Sequence, residues 1–287
     1  GQPVPGVGAG GRAGAGRSGR CTPAPGLGLT GAAHGTPDSG DDVRVHTLCP
    51  PPDPAPMVTD LHTDVSQRVV LHAADAAWVP SPMPGVQRRM LDRQGGELAR
   101  ATSLVRYAPG SRFSRHLHDG GEEILVLEGV FSDETGDHPA GTYLRNPPGS
   151  SHAPFSGPGC LLYVKLRHFA ADDTATVRVD TRHAEWQPAQ ELGLWTLPLH
   201  EHGGVTTKLF RAAPHTWFNT HTHPGGEELL VIDGVLHDDL GTYPRHSWVR
   251  SPRWSRHAPH TGAEGALTLV KLGHLAPAPR PAVAADA

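Results

Sequence analysis

Histidines at alternate positions, followed by an acid, mark two short stretches of this chain: HLHDGGEE at 116–123 and HTHPGGEE at 221–228. In a β-strand, side chains at i and i+2 share a face, so His116 projects beside His118 and His221 beside His223. The Gly-Gly after each pair suits a tight hairpin turn, and the returning strand then opens with Glu122 or Glu227 next to the imidazoles. A further histidine, His152 or His257, lies 34 residues beyond the second of each pair. Three imidazoles and a carboxylate facing inward form a site for a divalent transition metal, because nitrogen donors with one carboxylate suit Fe, Zn, Ni, Mn or Cu. Ligand types alone do not choose among these metals. An isolated HxH is more often a surface or core histidine. Here His, His, Glu and His recur at the same four offsets, in a polar pattern that opposes a packed β interior, and metal binding is expected at both copies.

The two stretches belong to a longer repeat displaced by about 105 residues. AAWVPSPMPG (76–85) pairs with AEWQPAQELG (184–193), APGSRFSRHLH (108–118) with APHTWFNTHTH (213–223), and RNPPGSSHAPFS (145–156) with RSPRWSRHAPHT (250–261). Between residues 116–136 and 221–241, 12 of 21 positions are identical, which is too many for coincidence. The repeats are rich in short runs of Val, Leu, Ile and Tyr, punctuated by Gly, Pro, Asp and Asn, the texture of an all-β sandwich or barrel. One domain is expected at 65–170 and a second at 171–278, with a short Ala/Pro-rich tail at 279–287. Residues 1–56 contain 13 Gly and 10 Pro and show no periodicity, so they are expected to be a disordered tail. Met57 is a candidate natural start.

Composition narrows the function. A formal net charge of −4 gives no strong positive field for nucleic acid or anionic lipid, and no apolar run is long enough to span a membrane. Small-molecule chemistry in the cytoplasm is the expectation, with no nucleic-acid or membrane partner. Cys21, Cys49 and Cys160 are an odd number at spacings that suggest neither a disulfide framework nor a zinc ribbon.

GSRFSRHLHDGGEEILVLEG (110–129) and GTYLRNPPGSSH (141–152) resemble the two conserved motifs of the cupin superfamily. The wording of residues 120–155 resembles the ChrR-like cupins, which include the cupin domain of that anti-sigma factor and the acetylacetone-cleaving and 2,4'-dihydroxyacetophenone dioxygenases. The resemblance covers residues 65–275 twice over and implies a bicupin, two tandem jelly-roll β-barrels. It places the metal ligands on His116, His118, Glu122 and His152, and again on His221, His223, Glu227 and His257. In some related dioxygenases three histidines hold the metal alone, which would leave Glu122 to bond a ligand or a water. The implied metal is Fe(II) or Zn(II). The implied activity is oxidative carbon-carbon cleavage of a small diketone or hydroxyketone; the alternative is a zinc-binding ligand or stress sensor. No HxxxCxxC occurs, which argues against a direct anti-sigma role.

Arg106 and Arg211, Arg145 and Arg250, and Lys165 and Lys271 correspond between the repeats and are candidates for orienting an anionic or carbonyl substrate, Arg106 and Arg145 foremost, with paired structural salt bridges as the competing role. Phe113, Tyr143, Phe155 and Tyr163 are candidate pocket walls. Gly110, Gly141 and Gly149 become His215, His246 and Trp254 in the second repeat, where bulk is expected to reshape the loops or narrow the pocket mouth. The first copy is therefore the expected reacting site. The halves are expected to pack in a pseudo-twofold arrangement resembling a cupin dimer, with homo-oligomerisation left open.

Overall fold

The computed structural model describes residues 60–72, 75–96 and 98–276. The Gly/Pro-rich segment 1–56, Met57, Cys21, Cys49 and the tail 279–287 lie outside the described residues. Every regular element among the described residues is a strand, and together they form the two jelly-roll barrels of a bicupin. Among the described residues no helix is long and apolar enough to cross a membrane.

The main sheet of the first barrel runs Asp60–Leu61, Val86–Gln94, Arg100–Tyr107, Cys160–Leu166, Glu122–Asp133, Thr142–Asn146, Val177–Asp180. The second runs Gln187–Pro188, Leu194–His202, Val205–Ala212, His260–Leu272, Glu227–Asp238, Trp248–Ser251, Val69–Leu71. In each the last strand comes from the other repeat. Val177–Asp180, which follows the first repeat, pairs antiparallel with Thr142–Asn146, and Val69–Leu71 pairs with Trp248–Ser251. The two repeats thus exchange their leading strands. Two short ladders complete the barrels, His116–His118 against Ser150–His152 and His221–His223 against Ser255–His257.

The central strands read as continuous apolar runs, because both of their faces are buried. In the Glu122–Asp133 strand, Ile124 and Val126 enter the first barrel's core with Leu144, Leu162 and Val164. Leu125 and Leu127 point the other way, into a second core shared by both barrels. There Leu91, Tyr143 and Tyr163 pack with Leu197, Leu209, Leu230 and Trp248 of the second repeat.

A crossed pair of buried ion pairs runs through this shared core. Lys165 Nζ meets Glu228 Oε1 at 2.5 Å, and Lys271 Nζ meets Glu123 Oε2 at 2.5 Å. Each lysine reaches the glutamate of the opposite repeat. Tyr163 and Trp248 also donate to Glu228, while Tyr143 and Thr207 donate to Glu123. Burial favours the neutral acid, but Lys271 and Arg145 outweigh it and hold Glu123 down at about 2.

Glycine explains the tight turn after each HxH. A Cβ on Gly120 would lie 2.6 Å from Arg167 Cγ, and one on Gly121, at φ +75°, would lie 2.5 Å from the Phe169 ring. At the three divergent positions, by contrast, the loops keep their shape. His215, His246 and Trp254 hold left-handed φ values of 57°, 65° and 64°, where Gly110, Gly141 and Gly149 have 75°, 88° and 88°. Trp254 N donates to His223 O just as Gly149 N donates to His118 O. The expected reshaping does not occur: a Cβ at Gly110 or Gly149 meets nothing within 4 Å and a side chain there extends into open space, whereas one at Gly141 would lie 2.8 Å from Arg182 Cγ, so open space accounts for two of the three positions. None of the three bulky residues lines the second cavity, so none narrows it.

Two predictions follow from packing and strain. Lys165→Met leaves Glu228 buried beside an apolar side chain and is expected to cost about 3–5 kcal/mol in urea unfolding, part of which Glu228→Gln restores in the double variant. Trp254→Gly removes a left-handed residue penalty of about 1–2 kcal/mol against an entropy cost of about 0.5–1 kcal/mol, so calorimetry is expected to show Tm rising by about 1–3 °C.

Candidate metal centre

The short ladders assemble the histidines. In the first, His152 lies directly across from His116, and His118 follows two residues along on the same face, while Leu117 turns outward. The three imidazole centroids stand 4.8, 4.9 and 4.8 Å apart. Glu122 enters from the start of the main-sheet strand, with Oε2 3.3 Å from His118 Nε2 and 3.4 Å from His152 Nε2. One donor atom from each of His116, His118, Glu122 and His152 lies within 4.8 Å of all the others.

The protons on two of the three rings are fixed by their outer partners. His116 Nδ1 is 2.8 Å from Ser114 O, which only accepts, so Nδ1 carries the hydrogen and Nε2 presents a lone pair. His152 Nδ1 is 3.2 Å from Asp133 Oδ2. Burial raises a carboxyl, yet hydrogen bonds from His138, His152 and Thr135 hold Asp133 well below the usual carboxylate range. The same bond therefore leaves His152 Nε2 as an acceptor. His118 Nε2 and His152 Nε2 are buried without a hydrogen-bond partner, and the Glu122 contacts lack hydrogen-bond alignment. Burial, together with the neighbouring imidazoles and against the pull of Glu122, lowers the proton affinity of His118. Neutral nitrogens and a carboxylate converging on one point, with two orphaned buried atoms, fit a divalent transition metal.

Glu122 is held by residues that neither HxH nor its repeat reveals. Asn146 Nδ2 donates to Glu122 Oε2 at 3.0 Å, and Arg178 Nη2 donates to Asn146 Oδ1 at 2.6 Å. Arg178 lies on the exchanged strand Val177–Asp180. Asp133 had a signal in the sequence, since it and Asp238 are one of the identities between the repeats.

The second cluster is looser. His221, His223 and His257 come together with donor atoms within 4.8 Å, but Glu227 stays outside the group, at 3.6 Å from both His223 Nε2 and His257 Nε2. By the same 4.8 Å spacing the first group holds four donors and the second three. Ser251 replaces Asn146 and Val70 replaces Arg178, so the chain that holds the first acid is missing. Burial pushes Glu227 up to about 7, and burial with the neighbouring imidazoles pushes His223 down to about 3. Asp238 Oδ2 bonds His257 Nδ1 at 3.2 Å, as Asp133 bonds His152.

Each cluster opens into its own cavity, of about 530 Å³ in the first barrel and about 320 Å³ in the second. The second is smaller where Phe210 replaces Val105. Phe113 walls the first cavity, its ring centroid 5.0 Å from that of His116. Tyr143 and Tyr163 belong to the shared core instead, and Phe155 is half exposed outside the cavity.

Neither Arg106 nor Arg145 lines this cavity. Val105 and Tyr107 face inward, so Arg106 faces outward, over the Trp78 ring and bonded to Gln87. Leu144 faces inward, so Arg145 faces the barrel contact, where it pairs with Glu123 and Asp173. Arg250 likewise pairs with Asp92 across the two repeats.

Asp133→Asn removes the acceptor that fixes His152. Titration of a divalent metal against a chelator is expected to show affinity at the first site falling about 10–100-fold, with the unfolding transition retained.

The family model of the ChrR Cupin-like domain matches residues 66–170 and again 174–276. No curated protein matches the sequence. Among solved structures, a candidate dioxygenase from Nostoc punctiforme PCC 73102 is similar, at 16% identity over 72% of this chain and 82% of its own, with a TM-score of 0.61. The bacterial pirin YhhW from Escherichia coli, in complex with nickel(II), aligns at 12% identity over 72% of this chain and 99% of its own, with a TM-score of 0.57. Oxalate decarboxylase from Lactobacillus farciminis, in a formate complex, aligns at 13% identity over 71% and 85%, with a TM-score of 0.52. At such identities the likeness concerns the fold. The two family matches cover most of the chain, and this protein therefore belongs to the family of ChrR Cupin-like domain proteins.

Proposed function

We propose that this protein is an Fe(II)-dependent dioxygenase that cleaves a carbon-carbon bond in a small diketone or hydroxyketone, with the first barrel as its reacting site. The observation that carries this reading is the four-donor cluster of His116, His118, Glu122 and His152 at the wall of a largely apolar cavity of about 530 Å³. A cavity of this size takes a small organic molecule.

His116, His118 and His152, with Glu122, would hold the metal. When bound, the metal supplies a Lewis acid for the carbonyl oxygens and a centre for dioxygen activation. The chain's own residues do the rest. Tyr107, Ile124, Phe131 and Leu162 line the cavity and keep water from reactive species. Ser114 O and Asp133 retain the protons on the far side of His116 and His152, so both rings present unprotonated Nε2 atoms inward. Asn146, backed by Arg178, fixes the direction of the Glu122 carboxylate. The fit of a fold shared with a candidate dioxygenase adds support.

Protein purified without oxygen, analysed for metal and reconstituted with Fe(II), is expected to take up oxygen with acetylacetone or a hydroxyacetophenone. His152→Ala is expected to abolish that uptake, whereas His257→Ala retains most of it. Stoichiometric zinc, with no oxygen uptake after reconstitution, would replace this reading with a zinc-binding sensor.

A further inference from the structure

Three other arginines line the first cavity, and Arg167 among them is paired with Asp119. Arg88 and Arg93 lie five residues apart on the Val86–Gln94 strand, and in a regular strand they would point to opposite faces. The strand has a register shift between Met90 and Asp92, which inserts Leu91 and turns position 93 back to the side of position 88. Both arginines consequently line the cavity that His116 and His118 line.

Among the described residues neither guanidinium has an anionic partner. Among the described residues no carboxylate oxygen lies within 4.0 Å of Arg88 or Arg93, and the Nε atom of each is buried without a hydrogen-bond partner. Arg93 is only 7% exposed, and among the described residues its side chain donates only to Gly96 O. The other deeply buried cations, Lys165, Lys271, Arg145 and Arg250, each meet a carboxylate. Burial lowers the proton affinity of both arginines, and the charge of Arg93 lowers that of Arg88 further. Buried charges are ordinarily paired, and a guanidinium fork matches a carboxylate.

The second barrel supplies a control. Its corresponding strand keeps the irregularity, between Pro198 and His200, but carries Thr196 and Glu201 at the matching positions. Among the described residues no lysine or arginine lines its cavity. The backbone device is retained in both halves, and the charge pair is confined to one.

We propose that Arg88 and Arg93 form a carboxylate-binding subsite of the first cavity, which selects a small keto acid: its carboxylate sits on the two guanidinium groups and its carbonyl group faces the histidine cluster. The carbonyl assignment rests on the dioxygenase reading, whereas the carboxylate assignment does not.

Acetylpyruvate and acetylacetone separate the two, because they share a 1,3-diketone and differ by a carboxylate in place of a methyl group. Calorimetric titration of the full chain, under anaerobic conditions, is expected to show acetylpyruvate binding at least about tenfold more tightly, at one molecule per chain, as charge-assisted hydrogen bonds imply. Arg88→Gln and Arg93→Gln should each remove about tenfold of that preference and leave acetylacetone binding unchanged, which also reports that the cavity is intact; Arg88→Lys should retain part of it. Equal binding of the two compounds, or an unchanged preference in both glutamine variants, overturns the subsite. Oxygen uptake is read separately: selective binding without uptake by the Fe(II) protein sinks the dioxygenase reading and leaves the subsite, and uptake with no carboxylate preference does the reverse.

Discussion

The two adjacent glutamates of each octapeptide point to opposite faces of one strand, and the rest of the molecule is organised around that constraint. Glu122 turns into the first barrel toward the imidazoles, and Glu123 turns out of it toward Lys271 of the other repeat. Glu227 and Glu228 divide the work in the same way. A strand with period 2 cannot move one side chain without moving the other. The register that seats a carboxylate beside three histidines is therefore the register that completes a buried ion pair between barrels. Site geometry and barrel pairing are one degree of freedom.

This constraint also separates what was legible in the sequence from what was not. The HxH pairs, the following acid and the distant histidine stand at the same offsets in both repeats, and alternation alone puts the pairs on one face. The all-β class followed from the texture of the runs and the bicupin from the motifs. The direction of Arg145 did not follow, because it depends on which face of its strand meets another sheet, and that sheet lies a hundred residues further on. Arg88 and Arg93 were hidden for a related reason: an extra residue at Leu91 reverses the alternation that a reader of the sequence would apply. The exchanged strands were out of reach too, since Val69–Leu71 and Val177–Asp180 are only three and four residues long and pair across distant chain segments. The glycine replacements misled by size. Space, not bulk, decides such a position, and the outward Cβ direction leaves Trp254 in solvent.

The exchange of strands makes the first site a product of both repeats. Arg178 comes from the sequence after the first repeat, yet it holds Asn146, which holds Glu122. In the second half Val70 and Ser251 occupy the two positions together, and Glu227 is left buried with no amide donor. An amide at 251 without an arginine at 70 would have a free carbonyl oxygen beside an apolar residue. The pair is useful only as a pair, which accounts for both members differing at once.

Why the cavities diverged while the contact between barrels did not is a matter of reciprocity. Each interbarrel ion pair takes its acid from one repeat and its base from the other, so a change to either lysine or glutamate strands a buried charge in the opposite half. Drift in one copy is thereby opposed by the other. The cavity walls have no such cross-reference: Val105 against Phe210, or Arg88 against Thr196, alters one barrel alone. A duplicated barrel joined in this way can keep its frame rigid and the spacing of its three histidines fixed while the two interiors become different rooms. The larger, arginine-lined cavity and the smaller, phenylalanine-lined one are what such a frame permits.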